Sequence, residues 1–346
     1  MQFPAIAPLD ASLRPALQAA IDAKTKPLGA LGRLESLALQ IGLITGSTAP
    51  ALRRPAVIVF AADHGIADAG VSAYPAEVTA QMVLNFLGGG AAINVFARQH
   101  GLALEVVDAG VRAPLPAAPG LVNCRIAAGT HNFARERAMS AEQAEAALTA
   151  GMARVLRHAQ QGTNAIAFGE MGIANTSSAA CLMSRLTGTP LDECIGRGTG
   201  LDDSGLARKR AVLAQALDLH ADAVEPLDAL AAFGGFEVAM MAGAFLAAAA
   251  SRMVIVVDGF IASAALLVAQ RLDPAVLDYC VFSHCSHEHG HRRLLAQFGA
   301  EPLLALDLRL GEGTGAALAY PLLVSAAAFL REMATFGGAG VSTASA

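Results

Sequence analysis

The segment "NAIAFGEMGIANTSSAA", residues 164–180, joins an apolar run to a helical stretch through a glycine turn. The run before Glu170 is apolar without alternation, as in a strand that is buried on both faces. Gly172 permits a sharp turn, and Asn175, Thr176 and Ser177 can cap the following helix. The segment therefore predicts a strand, a turn and a helix in succession, which is the repeating unit of an α/β fold.

The same pattern recurs along the chain. Other apolar runs that end in Gly or polar residues are "AVIVFAADHG", "ALEVVDAGV", "RMVIVVDGF", "YCVFSHCS" and "PLLALDLRLGEGTG". Alanine-rich helical stretches, such as residues 141–159 and 177–186, lie between several of the runs. This alternation predicts an α/β protein with a mostly parallel sheet.

Polar residues cluster where the predicted strands end. Ligands of open α/β sheets bind beyond the carboxyl ends of the strands. The residues at these ends are Asp63, His64, Asp108, Glu170, Asp258, Ser283, His284, Asp307 and Glu312. We favour a binding site there, although loops are also polar for other reasons.

Composition excludes several classes of function. The formal net charge is −5, and the chain has no Trp and three Tyr, so a nucleic-acid partner is not expected. Mean hydropathy is +0.48, but the apolar run Val238 to Ala250 is too short to span a membrane, and no signal peptide opens the sequence. A membrane partner is therefore not expected. The five cysteines are scattered without a disulfide pattern, which indicates a cytoplasmic protein.

Two glycine-rich stretches, "GRGTGLDDSG" at residues 196–205 and "GEGTGA" at 311–316, share a G-x-G-T-G core. Neither matches the dinucleotide-binding or the P-loop pattern. Their backbone N–H groups could hold one phosphate, with Lys209 within reach, or the stretches could simply be tight turns. A lone carboxylate, Glu312, stands in the second stretch and would repel a phosphate.

Four further residues are candidates, of which His64, Ser72 and Gln81 are the weaker ones on their own. Glu170 could accept hydrogen bonds from sugar hydroxyls, and His64 could act as a general base. Ser72 and Gln81 would suit a planar apolar ligand with a polar edge, or any loop that leads into a helix.

The segment "SHCSHEHGH", residues 283–291, contains the zinc signature H-E-x-x-H. That chemistry needs His287 and His291 on one helical face, yet Gly290 interrupts the segment and no third ligand motif follows. A zinc hydrolase therefore stays a minor alternative, and we expect no metal.

Taken together, the motifs resemble the nicotinate-nucleotide:dimethylbenzimidazole phosphoribosyltransferase family. The stretches that carry the resemblance are "KPLGALGRLE", "FAADHGI", "VSAYPAEVTAQM", "FGEMGIANTSSAA", "GRGTGLDD", "FGGFEVAMMAGAFLAAA", "VDGFIASAALL", "SHCSHEHGH" and "LRLGEGTGAALA", between about residues 24 and 320. One departure is Ala174, where the family commonly has Gly.

The resemblance implies transfer of the phosphoribosyl group of nicotinate mononucleotide to 5,6-dimethylbenzimidazole, with inversion at C1′. The products are α-ribazole 5′-phosphate and nicotinate. It also implies a homodimer that uses neither metal nor cofactor, and a Rossmann-like parallel sheet flanked by helices. Residues 1–50 with 320–346 would form a smaller helical lobe, and residues 51–319 the large domain with the active site.

The family's roles carry over residue by residue. Glu312 would be the general base, because a carboxylate facing the N–H of the benzimidazole can take its proton as the other nitrogen attacks. Burial in an apolar pocket with Leu310 would raise the pKa of Glu312. The substrate-binding residues that the resemblance implies are Ser72, Gln81, Glu170, Gly172, Gly198, Thr199, Gly200, Lys209, Asp258, Gly259, Ser286 and Leu310.

Two more alternatives stay open. The same donor could serve another acceptor, such as adenine, another benzimidazole or a phenol. A non-catalytic nucleotide-binding or sensing protein would be expected to lack the acid of the glycine turn, and Glu312 is present.

Overall fold

The structure is a computed structural model that describes residues 2–198 and 200–342. The strands are β1 (Ala56–Ala62), β2 (Ala103–Gly110), β3 (Leu121–Asn123), β4 (Ala165–Met171), β5 (Val254–Val257) and β6 (Cys280–Phe282). The helices of the first half are α1 (Arg14–Asp22), α2 (Arg33–Thr45), α3 (Glu77–Gly88), α4 (Ala92–His100), α5 (Ala141–Gln160) and α6 (Asn175–Thr187). Those of the second half are α7 (Leu191–Cys194), α8 (Asp203–Leu219), α9 (Pro226–Phe233), α10 (Phe236–Ala250), α11 (Phe260–Leu272), α12 (His291–Gln297), α13 (Thr314–Glu332) and α14 (Phe336–Ala339). Short 3-10 helices lie at Ala11–Leu13, Gly65–Ala69 and Pro274–Tyr279.

The strands form one sheet in the order β3-β2-β1-β4-β5-β6, and each neighbouring pair is parallel. This order is that of the doubly wound Rossmann arrangement, so the predicted fold class is confirmed. The chain first builds outward from β1 to β3 and then returns to the other side of β1 with β4. The crevice between β1 and β4 is therefore the switch point at which such sheets bind ligands.

Helices cover the sheet and bury its central strands. Helix α10 packs against β1, β2, β4 and β5 and against α5 and α11, and each residue from Phe236 to Ala249 is buried. A second set, α2, α3, α4 and α13, also packs onto the strands or onto one another. All seven residues of β1 are buried, which explains why its sequence is apolar without alternation.

The two chain ends meet. Lys24 and Thr335 form an antiparallel bridge, and Lys24 Nζ donates to the carbonyl of Met333 at 2.7 Å. Helix α2 packs against both α1 and α13. These contacts support our proposal of a small lobe built from both ends, although the division at residue 320 falls inside α13.

The edges of the sheet differ from the sequence prediction. The run that begins at Pro302 is not a strand, and only Leu304 bridges to His284 there. This run has no β-branched residue, so little favours an extended ladder. Strand β3 has only three residues, too few for a recognisable pattern.

Two helical stretches of the described residues are long and apolar enough to cross a membrane by length and composition, Glu77–His100 and Thr314–Glu332. The first is interrupted at Gly89, which has a φ of 78°. The second is α13, which packs against α2 and α4. This is weak evidence for a membrane span, because core helices pass the same test.

Candidate active site

A cavity opens beyond the carboxyl ends of β4, β5 and β6. The predicted site residues that line it are Ser72, Glu170, Gly172, Gly198, Asp258, Gly259, Ser286 and Leu310. Residues far apart in the sequence thus meet at one place because the ends of parallel strands share one edge of the sheet.

Other predicted site residues lie around this cavity rather than in its wall. Glu312 is buried next to Gly311, which does line it. Gln81 is exposed on α3, and Gly200 is exposed in its loop. Thr199 lies outside the described residues.

Glu312 sits in a left-handed turn. The φ angles of Gly311, Glu312 and Gly313 are 83°, 64° and 83°. Glycine adopts such angles without cost, but a glutamate does so only against steric strain, of the kind that is retained at functional sites. Asp258 holds the turn, because its carboxylate accepts from Gly313 N at 3.1 Å and from Ala316 N at 3.0 Å.

The surroundings of Glu312 favour its neutral form. Burial raises the pKa of its carboxyl to about 7, and the nearby Asp258 adds to this, whereas a backbone hydrogen bond from Ile93 works against it. In the part of the chain that the structure describes, Glu312 Oε2 has no hydrogen-bond partner. A carboxyl with a free oxygen and a pKa near neutrality can exchange a proton with a ligand.

Glu170 faces the cavity from the end of β4. Burial raises its pKa to about 8, while a hydrogen bond that Asn175 Nδ2 donates to Oε2 lowers it. Three further acids, Glu237, Asp258 and Glu312, each raise the pKa of Glu170 through their charge. These four carboxyls, all 5% exposed or less, form the acidic cluster. A cation that enters the cavity would be attracted by this cluster and would favour its ionised form.

Lys209 supplies the opposite charge next to the glycine loop. Its Nζ, on α8, donates to Thr176 Oγ1 at 2.9 Å, and the side chain is 1% exposed. A Cβ on Gly198 would lie 3.7 Å from this nitrogen. Burial lowers the pKa of Lys209 to about 8, so an anion bound here would restore the charge. The anion-binding interpretation of "GRGTG" is thereby favoured over a plain turn.

A buried pair, His64 and Glu237, supports the floor of the cavity. His64 Nε2 lies 2.5 Å from Glu237 Oε1, and neither side chain is exposed. A Cβ on Gly172 would come within 3.1 Å of both side chains and 2.6 Å of the carbonyl of Ala62. Gly172 is therefore required for close approach, rather than for an unusual backbone angle.

Comparison with known proteins places these observations in a family. A family model described as phosphoribosyltransferase matches residues 6–341. A Cupriavidus necator protein named nicotinate-nucleotide–dimethylbenzimidazole phosphoribosyltransferase is 83% identical over 345 residues, which cover 100% of both chains. The chain belongs to the nicotinate-nucleotide–dimethylbenzimidazole phosphoribosyltransferase family.

Other members of the phosphoribosyltransferase family are similar to this chain in sequence and in fold. A protein of the same name from Cupriavidus taiwanensis is 82% identical and covers 100% of both chains. The crystal structure of CobT from Thermus thermophilus is 46% identical, covers 96% of this chain and 100% of that chain, and superposes with a TM-score of 0.93. The predicted resemblance to the phosphoribosyltransferase family is therefore confirmed.

In this member of the phosphoribosyltransferase family, the H-E-x-x-H segment does not form the helix that a zinc site needs. His287 is exposed, whereas His291 is fully buried as the first residue of α12. Among the residues that the structure describes, no group of three or more His, Cys, Asp or Glu side chains is placed to hold a metal. The geometry gives the zinc alternative no support.

The structure brings four residues to the site that the sequence did not mark as substrate contacts. These are Glu288 and Arg309 in the cavity wall, and Thr176 and Asn175, which form hydrogen bonds with Lys209 and Glu170. His284, predicted only as a polar residue at a strand end, also lines the cavity. The prediction that Asn175 and Thr176 cap α6 is wrong, because both lie within the helix and its N-cap position is Ala174, without a side-chain cap hydrogen bond. Nothing in the sequence shows which distant side chains Asn175 and Thr176 meet.

Proposed function

We propose that the protein transfers the phosphoribosyl group of nicotinate mononucleotide to 5,6-dimethylbenzimidazole, giving α-ribazole 5′-phosphate and nicotinate with inversion at C1′. The observation that carries the proposal is the acidic cluster beside a buried lysine and a glycine loop. The names of the relatives support the choice of these two substrates. The free-standing glutamate in the glycine turn supports catalysis over passive binding.

The charges of the site match the charges of the donor. The phosphate would lie at Gly198 and Lys209, where the buried ammonium group of Lys209 can bind an anion. The pyridinium ring, and the positive charge that develops at C1′ as nicotinate leaves, would lie near Glu170 and Asp258. Preorganised carboxylates stabilise such a charge without reorganisation during the reaction.

Glu312 acts as the general base in this proposal. As one nitrogen of the acceptor attacks C1′, positive charge grows on the ring and the proton on the other nitrogen must leave. Glu312 Oε2 is without a partner in the described structure, and the pKa of the carboxyl, about 7, suits proton transfer near neutral pH. Catalytic hydrogen bonds are often long before the substrate binds, so the position of Glu312 beside the cavity is compatible with this role.

The acceptor would bind on the side of the cavity formed by Ser72 and Leu310. Ser72 supplies a polar edge, and Leu310, 55% exposed, offers apolar surface to a flat ring. Gln81 stays a weaker candidate, because its side chain is exposed on α3 and does not line the cavity. An enzyme specific for a different acceptor would differ in the residues on this side of the cavity and keep the same residues on the donor side.

We also propose a homodimer located in the cytoplasm. Leu28 and Leu306, which are 75% and 55% exposed, are candidates for the interface of this dimer. The described cysteines are all free thiols, as is usual in a reducing compartment.

The test is a product assay with purified protein, nicotinate mononucleotide and 5,6-dimethylbenzimidazole in the presence of a chelator. Formation of nicotinate and of the α-anomer of the nucleotide product is expected. Nicotinate release with other acceptors only would redirect the assignment to another base or a phenol. Activity that a chelator abolishes and zinc restores would favour the hydrolase.

A further inference from the structure

His291, the last residue of the apparent zinc signature, is buried among the donor-side residues. Its Nδ1 accepts the backbone N–H of Ser286 at 2.8 Å, and its Nε2 lies 3.1 Å from Ser263 Oγ. The side chain is 0% exposed. A buried imidazole with both nitrogens engaged is fixed in position by its partners.

The hydrogen bonds define the tautomer. A backbone N–H can only donate, so the Nδ1 of His291 must be unprotonated and its Nε2 must carry the hydrogen. The Nε2–H then donates to Ser263 Oγ. Burial, together with the nearby His284, lowers the pKa of His291 to about 3, so the ring is neutral at the pH values at which enzymes usually work.

The two partners of His291 belong to the two sides of the donor site. Ser286 follows β6 and lines the cavity. Ser263 lies in the first turn of α11, and its N–H donates to the carbonyl of Gly259 at 3.0 Å. Gly259 also lines the cavity, so His291 connects the loop after β6 to the start of α11.

The same arrangement orients the hydroxyl of Ser286. Ser286 Oγ accepts the N–H of Glu288 at 3.2 Å, which leaves the hydroxyl hydrogen available to a ligand. If the Ser286 backbone rotated away from His291, this hydroxyl would no longer point into the cavity.

We propose that His291 is a positioning residue for the donor nucleotide: as a neutral imidazole it holds Ser286 and Gly259 at the spacing that the phosphoribosyl group requires. The inference rests on the proposed function, since it takes the ligand of this wall to be the phosphoribosyl donor. It assigns the last histidine of H-E-x-x-H a role other than metal binding.

The test compares three variants. His291→Leu removes both hydrogen bonds and should raise the KM for nicotinate mononucleotide about 10-fold, with the KM for the acceptor unchanged. His291→Asn keeps an acceptor atom where Nδ1 stands but loses the contact to Ser263, so it should restore only part of the donor affinity. His131→Leu, which alters an exposed histidine, is the matched control. Thermal melting of each variant shows whether it is folded.

Two measurements do not depend on turnover. Calorimetry with nicotinate mononucleotide reports donor binding directly, and ¹⁵N NMR of the imidazoles should show His291 as the Nε2–H tautomer without titration between pH 5 and 9. The inference is overturned if His291→Leu binds the donor like wild type, or if His291 titrates between pH 5 and 9. It is also overturned if His291→Asn binds the donor as tightly as wild type or no better than His291→Leu. If the wild-type protein neither binds the donor nor forms product, the proposed function itself fails.

Discussion

Gly169 lies directly against the backbone of Glu312. A Cβ added at Gly169 would come within 2.3 Å of the carbonyl oxygen of Glu312 and 2.6 Å of Gly313 N. Gly169 precedes Glu170 in β4, so the strand that carries one acid of the cluster packs onto the turn that carries another. The relative position of Glu170 and Glu312 is therefore set by backbone packing, and the chemistry of the site depends on it.

The substitution Gly169→Ala should displace Glu312 from its working position. The added methyl group would meet backbone atoms, which have no alternative rotamer, so the turn must shift. We expect kcat to fall by about 100-fold, as for other small misplacements of catalytic groups. Donor binding, measured by calorimetry, should change little. Gly88→Ala is the control, because a Cβ at Gly88 meets nothing within 4 Å; equal activities of the two variants would refute this packing argument.

The substitution Ala174→Gly should stabilise the protein. Ala174 has a φ of 77°, in the left-handed region where its methyl group is strained, and it is the residue that caps the start of α6. Glycine removes the strain but adds freedom to the unfolded chain, so a net gain of about 0.5–1 kcal/mol is expected. Chemical denaturation measures the change. A loss of stability would show that the methyl group contributes more through packing than it costs in strain.

Removal of the Lys209 charge should weaken donor binding rather than the chemical step. We expect Lys209→Met to raise the KM for nicotinate mononucleotide at least about 10-fold, because it removes a charge-assisted contact. Since burial lowers the pKa of Lys209 to about 8, the wild-type affinity for the donor should fall as pH rises through 8. Calorimetry across this range should show the fall in wild type and in the exposed neighbour variant Arg208→Met. A similar decline in Lys209→Met would assign the titration to another group.

The Glu105–Arg154 pair should contribute to stability but not to catalysis. Arg154 Nε and Nη2 donate to the two carboxylate oxygens of Glu105 at 2.8 and 2.7 Å and thereby tie α5 to β2. Burial alone would raise the pKa of Glu105, but the nearby His158 imidazole and the hydrogen bonds from Arg154 outweigh burial and lower the pKa to about 2.

A lowered folded-state pKa stabilises the protein above the unfolded value, near 4.5, and this stabilisation is lost as pH falls toward 2. Glu105→Gln should therefore lower the free energy of unfolding by roughly 2–3 kcal/mol at pH 7, with kcat unchanged. The difference from wild type should shrink between pH 4.5 and 2. A constant difference over that range would rule out the charge as its source.

Much of the fold was predictable from local patterns. Strand β1 is apolar without alternation because it is buried on both faces, and this pattern is visible in the sequence. The acids and glycines at the strand ends are also visible, and parallel topology brings these ends to one edge of the sheet. The run after Pro302 was predicted wrongly as a strand, because an apolar run can also pack as a loop. The three residues of β3 are too few to detect.

The residues of the site could be predicted from the sequence, but the contacts between them could not. The sequence marked Glu170, Asp258 and Lys209, yet it could not show that Asp258 uses both carboxylate oxygens to hold the turn of Glu312. It could not show the buried partner of His64 either, since Glu237 lies 173 positions further along the chain. Such contacts depend on how helices pack onto the sheet, which periodicity does not encode.

The most direct test of Glu312 as the general base is the pH dependence of kcat/KM for 5,6-dimethylbenzimidazole in wild type and in Glu312→Gln. If Glu312 is the base, the wild-type value should rise with pH and level off above about 7, where the carboxyl is ionised. Glu312→Gln should lose about 100- to 10,000-fold in kcat, lack the rise with an apparent pKa near 7, and still bind nicotinate mononucleotide. Titration of the acceptor itself would affect both proteins alike and cancels in the ratio of their profiles. An undiminished kcat in Glu312→Gln, with the same pH profile as wild type, would show that Glu312 is not the general base.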